Sequence, residues 1–134
     1  VSGGEVALDT SVAIAVLKDA VGIRSWIQRF ETIYLLVPVI GELHFGALNS
    51  QRPQENLRRV QKLVHRCRIL SIHSKTAMTY AQIRLQLKEK GKPIPENDIW
   101  IAALCRSKSL PLATEDAHFL EVDDLIVETP SPHP

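Results

Sequence analysis

The 134-residue chain is poor in several residue types, and each scarcity narrows what it can be. Its two cysteines, Cys67 and Cys105, are too few and too far apart for a disulfide framework or a Cys-based zinc site. Its longest apolar run, residues 33–40, falls well short of the ~20 residues of a membrane span. No basic stretch followed by an apolar segment opens the sequence, so a cytoplasmic location and no membrane partner are expected. His44, His65, His73, His118 and His133 show neither HxxxH nor HExxH spacing; His118, close to Asp116, is a candidate phosphate contact but reads first as a surface turn residue. No glycine-rich phosphate loop follows a strand: Gly3 and Gly4 precede the first one. Aromatic residues make up 5% of the chain, and Trp26 and Trp100 sit on apolar helix faces as expected core.

Neither charge sign dominates, with 16 Lys and Arg against 15 Asp and Glu, but the distribution is uneven. Residues 52–75 carry Arg52, Arg58, Arg59, Lys62, Arg66, Arg68 and Lys75 against one acid, Glu55. Residues 115–128 carry Glu115, Asp116, Glu121, Asp123, Asp124 and Glu128 with no Lys or Arg. The first stretch can attract a polyanion or be a solvated helix face.

Apolar periodicity predicts the elements. Glu5–Leu8 reads as a strand, and Asp9, Thr10 and Ser11 are helix-capping types ahead of an apolar helix. Ile23, Trp26, Ile27 and Phe30 recur at helical spacing. Residues 32–37 predict a second strand, and Pro38 predicts the first position of a helix over 39–49. Pro53 opens a helix whose apolar stripe is Leu57, Val60, Val64 and Cys67, with Arg58, Arg59, Lys62 and Arg66 on its other faces. Residues 68–72 predict a third strand. Ser74 caps a long helix that Gly91 stops after Lys90. Residues 97–107 predict a helix, and 111–113 and 125–127 two more strands. Strands separated by helices make an α/β fold, a small mostly parallel sheet flanked by helices. One domain spans residues 1–129, and the proline-rich tail 130–134 is expected to be disordered.

Four carboxylates fall where such a fold builds its pocket, outside the carboxyl ends of strands. Asp9 ends the first strand and Asp116 follows the fourth. Glu42 lies on or beside the apolar stripe of its helix, and Asp98 shares a face with Ile101, Ala102 and Cys105. Singly, each has a plain structural reading: a helix cap, a stripe-edge acid, a helix-dipole partner and a turn former. Together they repel one another unless a hard cation neutralises them, and oxygen-only ligands select Mg²⁺ or Mn²⁺. A site of that kind suits in-line displacement at a phosphodiester.

Leu8-Asp9-Thr10-Ser11-Val12, Pro38-Val39-Ile40-Gly41-Glu42-Leu43, residues 95–103 (PENDIWIAA) and Leu112-Ala113-Thr114-Glu115-Asp116 resemble the PIN-domain family. Within it they resemble the VapC-type toxins of toxin–antitoxin pairs, and the likeness runs from Val6 to about Glu128. The resemblance implies a single PIN-like domain and a divalent-metal-dependent endoribonuclease. It assigns catalysis and Mg²⁺ (or Mn²⁺) binding to Asp9, Glu42, Asp98 and Asp116, with Glu115 competing for the fourth place. It implies Thr10, Ser11, Asn97 and Thr114 at the edge of the site. It further implies a homodimer and a small VapB-like antitoxin with a DNA-binding N-terminal part. RNA is the expected substrate, with Arg58, Arg59, Lys62 and Arg66 as candidate holders of its backbone. The alternative is a PIN-like RNA- or protein-binding module without organised catalysis.

Overall fold

A computed structural model describes residues 4–130. The elements follow in the order β1 (Glu5–Leu8), α1 (Thr10–Leu17), α2 (Ile23–Ile27), β2 (Thr32–Leu36), α3 (Val37–Leu48) and α4 (Pro53–Arg66). The second half holds β3 (Arg68–Leu70), α5 (Ser74–Lys90), α6 (Glu96–Ser107), β4 (Leu112–Ala113), a 3₁₀ turn (Ala117–Glu121) and β5 (Val127–Glu128). All strand pairs are parallel, in the order β3-β2-β1-β4-β5. The expected fold class is therefore the observed one.

The chain steps outward from β1 to β2 and β3, then returns to the other side of β1 with β4 and β5. The order reverses between β1 and β4, and ligands of open α/β sheets bind in the crevice outside the strand ends at such a point. Leu8 pairs with Ala113 across that junction, so Asp9 and Thr114 leave the sheet side by side. The junction is well anchored: Val6, Ala7, Leu8, Leu112 and Ala113 are fully buried. Strands buried on both faces are continuous apolar runs rather than alternating ones, as Val6-Ala7-Leu8 is.

Element ends differ from the sequence expectations by a few residues. The second strand stops at Leu36 because α3 begins at Val37, with Pro38 inside its first turn. β-branched Val37 favours a strand, but the fixed φ of Pro38 favours helix entry, and the helix prevails. The third strand ends at Leu70, and β5 starts two residues later than expected, at Val127. The cap of α5 is His73 rather than Ser74, and the His73 N–H donates to the Thr76 hydroxyl at 3.2 Å. Gly91 ends α5 with φ 70°, a conformation that glycine adopts without strain.

Helix α6 carries Ile101 to Cys105 as one buried run, and α5 packs along it through Ile83 and Leu87. Trp26 is core, as expected. Trp100 is not: it is half-buried and stacks on Tyr80 with ring centroids 4.0 Å apart. Its position faces the seam between α5 and α6, where the indole edge stays in water. Among the described residues no helix is long and apolar enough to cross a membrane. Of the expected tail, Pro130 is buried, and 131–134 lie outside the described residues.

Candidate active site

Asp9 occupies the N-cap of α1 and is 4% exposed. One carboxylate oxygen accepts from the Val12 N–H at 2.9 Å and the Ser11 hydroxyl at 2.7 Å, and the other accepts from the Thr114 hydroxyl. The cap and the cluster readings of Asp9 thus hold together. Thr114 is buried too, and its hydroxyl oxygen accepts from the Asp116 N–H at 2.9 Å. One threonine therefore links the acid after β1 to the acid after β4.

Glu42 projects from α3 and accepts a hydrogen bond from the Thr10 hydroxyl, next to Asp9 in the chain. Asp98, in the first turn of α6, completes the group from the third side. Burial raises its pKa above the ordinary aspartate value, His118 opposes the rise, and the negative charges of Glu42 and Asp116 add to it. That coupling ties Glu42, Asp98 and Asp116 into one electrostatic unit.

His118 stands in the cluster, not on an outward turn. Its Nε2 lies 2.8 Å from Asp98 Oδ2 and its Nδ1 lies 3.0 Å from Asp116 Oδ1. Phe119 is buried and pins the 3₁₀ turn, which sends the preceding side chain into the pocket. The one sequence signal for this was its position two residues after Asp116. Ligand atoms of Asp98, Asp116 and His118 all lie within 4.8 Å of one another, close enough to share a cation. The carboxylate oxygens are donors that suit Mg²⁺ or Mn²⁺, while the imidazole nitrogen is a donor better matched to a transition ion than to Mg²⁺. Cys105 does not compete as a ligand: burial, and then the charge of Asp9, push its thiol well above the ordinary range.

The PIN domain family profile matches residues 6–125. This chain belongs to the PIN-domain family, in its VapC-type branch. Ribonuclease VapC2 of Haemophilus influenzae is 31% identical over 116 residues, covering 85% of this chain and 88% of that protein. The structure of DNA-bound VapBC from Salmonella typhimurium matches with a TM-score of 0.88 at 26% identity, covering 94% of this chain and 98% of that one. VapBC-5 from Mycobacterium tuberculosis, a member of the VapBC family of toxin-antitoxin systems, matches with a TM-score of 0.73 at 28% identity, covering 94% and 97%.

Within this PIN domain the other sequence expectations divide. Ser11, Thr10 and Thr114 each hold a site acid, as above. Asn97 is half-buried and makes no side-chain hydrogen bond to a described residue. Glu115 turns away, toward a hollow it shares with Val21, Gly22 and Pro130, and Asp116 is the one that stands with Asp98 and His118. The four α4 cations fall within about 100° around the helix axis, yet they line different hollows. Arg58 and Lys62 line one, Arg59 a second with Glu42, and Arg66 a third with Asp19 and Arg24. Successive turns along the helix meet different neighbours, which charge counting along the chain cannot register.

The far side of the His118 turn is strapped down by polar side chains. The Gln86 amide donates to the Glu121 carbonyl at 3.0 Å and accepts from the Asp123 N–H at 3.2 Å. Lys90 donates to the same carbonyl at 2.8 Å and pairs with the Asp123 carboxylate at 3.0 Å. Arg106 donates to the Asp123 carbonyl at 3.1 Å. Within the acidic stretch after Glu115, the Asp123 carboxylate is therefore a counter-charge for Lys90 of α5.

Proposed function

We propose that this PIN domain is a divalent-metal-dependent endoribonuclease, the toxin of a toxin–antitoxin pair. The observation that carries the reading is the meeting of Asp98, Asp116 and His118, with Glu42 acting on the charge of Asp98 and Asp9 tied to the Asp116 backbone through Thr114. The VapC2 relative is named a ribonuclease, which supports the substrate class. A binding module has no use for mutually repelling carboxylates held at one crevice, and this weighs against the non-catalytic alternative.

Asp98, Asp116 and His118 are the residues to hold the cation, with Glu42 beside them and Asp9 below. A hard divalent ion there supplies a Lewis acid for the phosphodiester and lowers the pKa of attacking water. Asp9 is oriented by three donors and needs no rearrangement to act. Thr114 keeps the two halves of the pocket in register. Asp98, with its raised pKa, takes up a proton more readily than an ordinary aspartate, and acid weakens its hold on a cation.

The partner of such a domain has a groove to fill. Ile14, Leu17, Leu43, Ala47 and Val60 line a hollow of about 280 Å³ with Glu42 and Arg59 among them. An antitoxin segment bearing apolar anchors and a basic side chain fits it, the base reaching Glu42. The VapBC-5 neighbour, of a toxin-antitoxin family, supports that partner class. Of the larger apolar side chains of the first helices, Ile14 and Leu17 line this groove, whereas Trp26 is buried core and Phe45 lies outside it. A homodimer remains part of the proposal.

The test is cleavage of RNA by purified protein with Mg²⁺ or Mn²⁺, its loss in EDTA, and its loss in Asp98→Asn with the fold intact. Undiminished cleavage in EDTA overturns the metal mechanism. No cleavage with either ion overturns the enzyme.

A further inference from the structure

The outer face of α3 holds features that the carboxylate site does not use. Phe45 leaves 66% of its surface in water. It follows Glu42 by three residues, a helical spacing that puts Cβ atoms about 5–6 Å apart. Gly41 lies one turn before Phe45, and nothing lies within 4 Å of where its Cβ would stand. A bare stretch of backbone and a flat ring thus form one exposed strip beside a site acid.

Across that strip from Glu42, His44 turns toward α4. With Arg58, Gln61, Lys62, Val64 and His65 it lines a hollow of about 510 Å³ that contains no acid. Arg58 and Lys62 form no ion pair with a described residue, whereas Arg24, Arg52, Arg84 and Lys90 each do. A lone exposed aromatic is ordinary. One placed between a phosphodiester-type acidic site and an unneutralised basic hollow has the two parts of a single-strand binding track, a stacking platform and a cationic groove.

We infer that this strip binds a single-stranded segment of the RNA substrate. One base stacks on Phe45, and the phosphates next to it lie in the hollow between His44, Arg58, Lys62 and His65. The inference rests on the ribonuclease reading and adds a substrate class to it. Duplex RNA hides its base faces in the stack and cannot use Phe45. The strip is separate from the apolar groove between α1, α3 and α4, whose lining does not include Phe45.

The experiment measures binding of a fluorescein-labelled single-stranded RNA of mixed sequence, and of its duplex, by anisotropy over a salt series. EDTA is present throughout, so that cleavage does not intervene. Phe45→Ala should weaken single-strand binding roughly tenfold, Phe45→Trp should restore it, and duplex binding should not follow either change. The double variant Arg58→Gln/Lys62→Gln should lower the slope of log K against log salt by about 1.4, at about 0.7 per lost phosphate contact on a single strand. Arg66→Gln, in a different hollow, should leave the slope unchanged. All these side chains are on the surface, and a thermal melt verifies that each variant is folded.

The track is overturned if Phe45→Ala and the double variant bind single-stranded RNA as wild type does. It is also overturned if Phe45→Ala alters only the oligomeric state, which makes the strip a contact between copies. It is overturned again if single strand and duplex lose affinity equally. Wild type that binds in the expected pattern but cuts no RNA with Mg²⁺ or Mn²⁺ leaves the track standing and overturns the ribonuclease reading. Wild type that cuts RNA but whose binding ignores the variants does the reverse.

Discussion

The two ends of the carboxylate pocket are built differently. At the β1 end, Asp9 is buried and held by a backbone N–H and two hydroxyls, with fully buried strands beneath it. At the turn end, Asp116 has 47% of its side chain exposed, and its partner His118 rides on a short 3₁₀ turn. Sheet register positions the first. A single buried ring, Phe119, and the straps from Gln86, Lys90 and Arg106 position the second. One end is preformed by the core, and the other depends on long polar side chains whose ordering costs entropy. Local stability follows such differences, and the weaker end of a site is where loops open first.

The sharpest way to break that contrast is at Asp9. Asp9→Asn keeps a capping oxygen and should fold, while removing the charge should abolish cleavage. An RNA cleavage assay beside a thermal melt reads both. If activity survives, the rigid end is structural only.

The next effect in size is at the joint between the ends. Thr114→Val removes the hydroxyl that donates to Asp9 and accepts from Asp116. Loss of such a supporting partner should reduce metal affinity or activity by roughly 10–100-fold. Mn²⁺ titration followed by electron paramagnetic resonance checks affinity without relying on turnover.

The straps come next. Gln86→Leu removes two hydrogen bonds, each with a net worth of about 0.5–1.5 kcal/mol. Amide exchange should quicken over residues 117–123 and not in β1. Equal quickening at both places would mean that the two ends open as one unit.

The smallest expected effect separates charge from packing at Asp98. A carboxyl whose pKa is raised by folding binds its proton more tightly folded than unfolded. Its contribution to stability is therefore full in acid and is lost as pH rises through the raised pKa. In metal-free protein Asp98→Asn should melt above wild type at neutral pH, and the gap should close on acidification. A gap that does not change with pH would assign the effect to packing.

How much of this was legible in the residues can be judged one position at a time. Asp9 and Asp116 were readable because each follows an apolar strand, and strand ends are where an α/β sheet places its pocket, whereas Thr114 came only from the family resemblance. Glu42 and Asp98 were readable as acids on or near inward helix faces. His118 was not, because its direction depends on a 3₁₀ turn anchored by Phe119, and a five-residue turn has no periodicity to analyse. Trp100 read as core because helix spacing marks an apolar face without saying how deep it lies.

The sequence by itself determined the α/β class and the approximate element order, since these rest on local periodicity and capping chemistry. Only the tertiary structure decided that Asp116 rather than Glu115 faces the pocket, that His118 joins it, and that the four α4 cations separate into three hollows. Those outcomes depend on which neighbour each side chain meets across the fold. Such contacts join residues far apart in the chain, like Asp9 and Thr114, and no local pattern encodes the distance between them.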